Sequence, residues 1–289
     1  MKQIILLISY FLVIYDLKGQ GNYRLPDQFN LYRLSYSIYN PADLTDQRSN
    51  VKLGHKSAAG AFSNVRSFYV QAIVQLNSSE KKNGTALGVL VSNEQEGSFI
   101  QQTKANLQFR YFTKLSENFK LGAGMGIGFA NAVLQSTTSF AGGSDFVPDV
   151  NAGFFLASDN FRLGVSGNQL SNSTIRPVHG ATVLKRFFTI YARAGKDISP
   201  YLKASASGFL VYADKDLHTI TAVGSLEYKE LLEVGMGYQY LRGLLFSLGM
   251  PALNLNKNQF SLFAMYFFST GKIRAANYQS VELGISFKK

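Results

Sequence analysis

Residue types that carry out catalysis or bind metals are few in this chain and widely separated. The 289 residues include three histidines, His55, His179 and His218, and no cysteine. The histidines share no spacing, so we interpret each of them as a surface residue at a strand end or in a loop. The lack of cysteine excludes thiolate metal sites and cysteine nucleophiles, and neither Gly-x-Ser-x-Gly nor His-Glu-x-x-His occurs. The sequence therefore predicts no enzyme, no metal site and no cofactor.

Charged side chains are the remaining candidates for chemistry, and many share one face of the alternating segments that run through the chain. The basic ones come from the earlier segments and the acidic ones from the last five, which predicts an interior with a basic wall and an acidic wall. Such an interior could select anions or guide a ligand. Alternatively, the charges pair with one another across a packed barrel, as buried charges must. The predicted inward charges are Lys104, Arg110, Lys120, Arg162, Arg193, Lys203, Glu227, Glu233 and Glu282.

The segments that must position these side chains alternate between apolar and polar residues. From Phe119 to Phe129 every odd position is apolar, and the even positions are Lys120 followed by four glycines. Because a strand points successive side chains to opposite faces, each segment has one apolar face and one polar or small face. About 14 such segments occur, starting near residues 50, 65, 84, 102, 119, 149, 161, 183, 201, 219, 232, 243, 259 and 279.

Segment length and connector length favour a membrane barrel over a soluble sandwich. Several segments run 10 to 13 residues, whereas soluble strands usually have about 5–6 residues and tilted membrane strands need about 9–11. Short connectors alternate with longer ones, of which 133–148 and 168–181 are the longest. We therefore predict an all-β transmembrane barrel of about 14 antiparallel strands over residues 49–289, in contact with lipid of a bacterial outer membrane.

The N-terminus reads as a secretory signal peptide. Lys2 is followed by an apolar run from Ile4 to Tyr15 and then by small and polar residues, which is the order that export signals share. We assign residues 1–19 to the signal peptide, with cleavage after Gly19 or Gly21. The net charge of +11 fits either nucleic acid or an anionic membrane surface, and export excludes nucleic acid as a partner.

The predicted inward face of one segment carries glycine at four alternate positions, Gly122, Gly124, Gly126 and Gly128. The spacing and the absence of a following helix argue against a phosphate-binding loop, so we interpret the stripe as room for a bulky neighbour, an inserted segment or a plug. The segment at 20–48, aromatic and too long for a linker, is expected to fill the lumen or to cap its periplasmic mouth.

An ordered set of motifs gives this chain a family resemblance. Its N-terminal part carries Pro26, Phe29 and Tyr32, followed by Tyr39, Asn40, Pro41 and Ala42; further matches lie at 86–97, 148–154 and 161–166. This set resembles the PorP/SprF family of Bacteroidota outer-membrane proteins, whose N-terminal signature reads P-x-F-S-Q-Y followed by N-P-A-Y-A-G. The chain departs from it at Asp43-Leu44-Thr45.

The resemblance implies a component of type IX secretion and gliding motility. Members support secretion or surface attachment of large proteins such as adhesins through the partner's C-terminal domain, and contacts with periplasmic secretion components are a further implication. The family is not known for catalysis, so no catalytic residues carry over.

Two function hypotheses remain. The first is a secretion-linked anchor that holds its partner on the two longest loops, through Phe140 and Phe146 in one, and Ile175, Arg176 and Val178 in the other; alternatively, these side chains fold inward and close the barrel mouth. The second is a barrel that passes a small solute through its basic lumen.

Overall fold

Antiparallel strands follow one another around a closed barrel, and the last strand pairs with the first. The computed structural model describes residues 29–43, 49–78, 83–136, 141–177, 182–213, 216–255, 258–270 and 278–288. Within these ranges fourteen strands form the barrel, and two short strands, β8 and β9, form a separate hairpin. The predicted all-β barrel of about 14 strands is confirmed. Pro26 and residues 1–19 lie outside the described ranges.

The strand bounds follow the alternating segments of the sequence closely. They are β1 Asn50–Ala58, β2 Arg66–Ser78, β3 Asn83–Glu96, β4 Ile100–Lys114, β5 Lys120–Leu134, β6 Gly143–Ala157, β7 Phe161–Asn168, β8 Thr174–Ile175, β9 Thr182–Val183, β10 Phe187–Ser199, β11 Leu202–Ala213, β12 Asp216–Tyr228, β13 Leu232–Gln239, β14 Gly243–Leu255, β15 Asn258–Ser269 and β16 Gln279–Lys288. A helix, α1, spans Tyr32–Tyr39, and a short 3-10 helix spans Gly60–Phe62.

Apolar side chains cover the outer surface of the barrel. On β5, Met125, Ile127 and Phe129 are exposed and point outward, while the glycines between them line the interior. On β16, Leu283 and Ile285 are likewise exposed. An apolar outer belt of this kind faces the hydrocarbon of a membrane.

Two predicted boundaries differ from the structure. Strand β6 begins at Gly143 instead of near 149, because it pairs with β5 along its whole length, from Lys120 opposite Ala157 to Leu134 opposite Gly143. The connector predicted at 133–148 therefore shrinks to 135–142, and Phe146 belongs to a strand. Strand β10 begins at Phe187 instead of near 183, since the preceding residues form the β8–β9 hairpin.

The connectors differ in length between the two ends of the barrel. At one end, which we call the short-turn end, strands are joined by tight turns such as 158–160, 200–201 and 229–231. At the other, the long-loop end, connectors include 135–142 and 169–186. In outer-membrane barrels the short turns face the periplasm and the long loops face the exterior.

Residues 29–43, which we call the plug segment, lie inside the barrel and include α1. Its apolar side chains are buried in two clusters: Tyr36 and Tyr39 pack against inward residues of β6, β10 and β11, and Leu31 and Leu34 pack against β14 and β15. A barrel of this size is wider than its own side chains can fill, and large apolar residues on the inward strand faces, such as Phe155, Phe209 and Phe263, fill part of the space beside the plug segment. Among the described residues, no helix is both long and apolar enough to cross a bilayer.

Candidate functional site

Inward glycines bring the plug segment against the barrel wall. A Cβ added at Gly124 would lie 2.5 Å from the carbonyl carbon of Pro41, and one at Gly164 would lie 2.5 Å from the Tyr36 hydroxyl. A Cβ at Gly153 would collide with the Asn40 side chain. The glycine stripe at 122–128 therefore provides space for the inserted segment at Gly124.

Asn40 and Arg110 hold the chain where α1 ends. Asn40 Nδ2 donates to the carbonyl of Phe154 at 2.9 Å, and Asn40 Oδ1 accepts a bond from the Ala42 amide at 2.9 Å. Arg110 Nε donates to the Pro41 carbonyl at 3.0 Å. Buried polar groups need such partners, so this signature stretch is bound to β4 and β6 by side-chain to main-chain bonds.

A second buried polar network joins α1 to β1, β2 and β4. Ser37 Oγ donates to Gln71 Oε1 at 2.5 Å, and Lys52 Nζ donates to Ser37 Oγ at 3.2 Å. Gln71 Nε2 lies 2.8 Å from Gln108 Oε1. Both glutamines occupy inward positions of their strands, where the pattern of charged residues alone does not reveal them.

Glu282 of β16 binds the beginning of α1. Its carboxylate accepts bonds from the backbone amides of Asn30 at 2.7 Å and Leu31 at 3.0 Å. Leu31, the N-cap residue, makes no capping bond with its own side chain. The carboxylate therefore replaces a local cap and complements the positive end of the helix dipole.

Replacing Glu282 with alanine should loosen the plug segment. Two buried amides would lose a charged acceptor, and each hydrogen bond to a charged group contributes about 1.5–3 kcal/mol. We expect a lower thermal midpoint of barrel unfolding and faster hydrogen exchange at the amides of residues 30–34.

Ser286→Ala is the matched control for this change. Ser286 lies on the same strand and the same inward face, and its buried hydroxyl forms no hydrogen bond with any described residue. Equal exchange rates in Glu282→Ala and Ser286→Ala would show that the carboxylate does not hold α1.

The predicted inward charges all lie at inward positions, at different depths. Lys104, Arg110, Glu227, Glu233 and Glu282 are buried, and the other four, Lys120, Arg162, Arg193 and Lys203, are partly buried. Arg193 of the basic wall lies 3.7 Å from Glu233 of the acidic wall. Arg110 contacts the plug segment at the Pro41 carbonyl.

Cavities lie on both sides of the plug segment. The larger, about 130 Å³, is lined at the short-turn end by Arg162, Arg193, Lys203, Glu227 and the plug residue Leu34, among others. The smaller, about 40 Å³, lies toward the long-loop end beside Lys104 and Asp149. Among the described residues, no cluster of histidine or acidic side chains is suited to a metal ion.

The described signature residues lie inside the barrel. Phe29, Tyr39, Asn40, Pro41 and Ala42 are buried in the lumen, and Tyr32 is the first residue of α1.

The described loop residues take three different positions. Ile175, the second residue of β8, is buried in a cluster with Ala130 and Leu184. Phe146 stacks on Phe129 on the outer face, with ring centroids 4.4 Å apart. Arg176 is exposed, and its amide donates to Asp145 Oδ2 at 2.5 Å. Phe140 and Val178 fall outside the described residues.

Residues 170–173 of the connector 169–186 bind the part of β6 that β7 leaves unpaired. Strand β7 pairs with β6 only up to the pair of Gly167 with Ala152, which leaves the rest of β6 without a strand on that side. The hydroxyls of Ser171 and Ser173 donate to the carbonyl of Pro148 on this edge, at 2.8 and 3.0 Å. Proline has no N–H, and it is tolerated at position 148 because a residue at the edge of a sheet does not have to donate a hydrogen bond to a neighbouring strand.

Comparison with known proteins gives a family and a fold. The family model described as "Type IX secretion system membrane protein PorP/SprF" matches residues 22–287. No curated protein sequence matches the chain. The CymD monoaromatic hydrocarbon channel superposes with a TM-score of 0.58 at 11% identity, covering 92% of this chain and 94% of that one.

Two further solved structures share the architecture. The Pseudomonas putida toluene transporter TodX gives a TM-score of 0.55 at 11% identity, with coverage of 96% and 99%. A Pseudomonas aeruginosa FadL homologue gives 0.54 at 11% identity, with coverage of 88% and 93%. At this identity the likeness shows the fold alone. The matching family and structures are membrane proteins and channels, not enzymes.

Proposed function

The chain belongs to the PorP/SprF family of type IX secretion system membrane proteins, and on that premise we propose that it holds a large secreted protein, such as an adhesin, at the cell surface. In this proposal the partner's C-terminal domain binds the long-loop end, and periplasmic components of the secretion system contact the short-turn end. The barrel itself carries out no catalysis.

The observation that supports this proposal best is the occupied lumen. The plug segment fills the middle of the barrel with buried aromatic rings, and polar bonds to β1, β2, β4, β6 and β16 hold it in place. A lumen closed in this way favours a function carried out on the barrel's outer surfaces.

Exposed apolar and basic side chains at the long-loop end suit a protein partner. Phe99, in the turn between β3 and β4, is 50% exposed, and Leu170 is 37% exposed. Arg176 and Arg186 are exposed on the connector 169–186. Aromatic and arginine side chains are the usual anchors of protein interfaces. Phe99 was not among the predicted partner residues, because those were taken from the two longest loops and Phe99 lies in a short turn.

The fold likeness to hydrocarbon channels supports a second candidate, a barrel that passes a small solute. The cavities on either side of the plug segment would be the ends of its route. That function requires the plug segment to move, so the two candidates differ in whether the intact barrel conducts.

Replacing residues 135–142 with an Asn-Gly turn, together with Arg176→Ser and Phe99→Ser, tests the anchoring role. Asn-Gly favours the tight turn that joins two paired strands, and the connector 169–186 stays in place, so the barrel wall remains closed. We expect loss of one large protein from the cell surface and its appearance in the medium, measured by proteomics of both fractions.

An Asn-Gly turn in place of residues 116–118, at the short-turn end, is the control for turn replacement. Both barrels should stay folded and heat-modifiable on gels. An unchanged surface proteome in the long-loop variant would contradict the proposed placement of the partner.

A further inference from the structure

The cavity at the short-turn end, which we call the vestibule, has an unusual arrangement of charges. Four basic side chains line it, Arg162, Arg193, Lys203 and Lys288, against two acidic ones, Asp159 and Glu227. The plug residue Leu34 contributes to the lining on the lumen side. The vestibule is thus a cavity between the plug segment and the turns of the short-turn end.

The two arginines of the vestibule, Arg162 and Arg193, lie on neighbouring strands. Arg193 of β10 is directly opposite Arg162 of β7 in the strand register, and both side chains line the vestibule. Like charges directly opposite each other in a sheet are destabilising. A negatively charged group between them would replace repulsion with two attractions.

The two guanidinium groups differ in their partners. Arg193 donates to Ser205 Oγ at 3.0 Å and lies 3.7 Å from Glu233. Lys203 donates to Asn160 Oδ1 at 3.3 Å. Arg162, in contrast, makes no side-chain hydrogen bond or ion pair with any described residue. Its guanidinium offers five donors in a fixed planar arrangement at the edge of the cavity.

We propose that the vestibule binds a single oxyanion group, a carboxylate or a phosphate, between Arg162 and Arg193. Arginine pairs with such groups through two parallel hydrogen bonds, which are stronger than bonds between neutral groups. Phe161, Phe263 and Pro251 also line the cavity, so a small apolar portion of the ligand would find contacts. This inference goes beyond the anchoring role and does not depend on it.

The position of the vestibule defines where the ligand comes from. Asp159 and Asn160 of the turn at 158–160 and Lys288, the last residue of β16, contribute to its lining, and both parts lie at the end that faces the periplasm in outer-membrane barrels. The ligand is therefore a periplasmic one, either a free phosphate or a carboxylate carried by a small molecule or a peptide end.

Calorimetric titration of the full barrel in detergent tests the proposal with three probes. Inorganic phosphate and N-acetylalanine carry an oxyanion group, and N-acetylalaninamide is the uncharged analogue. We expect saturable binding of at least one anionic probe, which identifies the source, and no binding of the amide. Bound ligand should also raise the thermal midpoint of unfolding.

Arg162→Gln should weaken binding at least about tenfold, as loss of a charged hydrogen-bond donor does. Arg162→Lys keeps the charge without the planar fork and should weaken it less. Arg186→Gln removes the same charge at the long-loop end, where Arg186 is exposed, and should leave affinity unchanged. Absence of binding to the native barrel, equal binding of the amide, or unchanged affinity in Arg162→Gln would each overturn the proposal.

Discussion

A barrel that lacks residues 29–43 should conduct ions in planar bilayers, whereas the intact barrel should stay closed. The deletion removes the buried side chains of α1 and the signature stretch, and the remaining inward residues cannot span the lumen by themselves. The expected change is from a baseline without steps to discrete, porin-like openings. Single-channel recording of both proteins, purified in the same detergent, makes the comparison.

Two glycine substitutions on one strand give this experiment an internal control. Gly124→Ala places a methyl group 2.5 Å from the Pro41 carbonyl carbon and should displace the plug segment, whereas a Cβ at Gly126 meets only ordinary contacts at 3.7 Å. Openings are expected for Gly124→Ala and not for Gly126→Ala. If the intact barrel already conducts as an open porin does, the anchoring proposal loses its main support and the solute-transport candidate replaces it.

Arginine at two positions of the outer belt should prevent barrel assembly. Ile127 on β5 and Ile285 on β16 are 53% and 43% exposed on the outer face. An arginine near the bilayer midplane costs about 2–4 kcal/mol, and two sites far apart add their effects. The sum of about 4–8 kcal/mol is comparable with the whole free energy of unfolding of many proteins, about 5–15 kcal/mol.

The readout is the heat-modifiable band on gels after expression in the outer membrane. Ile127→Leu with Ile285→Leu keeps both positions apolar and should assemble normally. Normal assembly of the double arginine variant would mean that these residues do not face lipid.

The outer face of the barrel could be predicted because it depends on local alternation alone. Every second residue of β5 or β16 faces lipid, and that pattern is visible in the sequence without knowledge of strand pairing. The extent of β6 could not be read in this way. Gly143, Asp145 and Pro148 are residues typical of loops, yet pairing with β5 extends the strand through all of them.

The contacts of the lumen depend on distant pairing and were therefore only partly predictable. Alternation placed Glu282 and Arg110 on inward faces, but their partners, the start of α1 and the Pro41 carbonyl, lie far away in the chain. Large apolar residues such as Phe155 and Phe209 also point inward, against the usual polar lumen. Their positions make sense only with the plug segment in place.

The bond between Asn30 and Glu282 joins residues 252 positions apart, and this separation bears on the order of folding. The plug segment precedes every strand in the chain, yet the acceptor for its first amides belongs to the last strand. Contacts between residues so far apart in the sequence form slowly, so we expect the native start of α1 to form only once β16 is in place. Docking of a segment that is synthesised before every strand is in this way coupled to placement of the last strand, and a barrel interrupted before that step holds its plug segment without its cap.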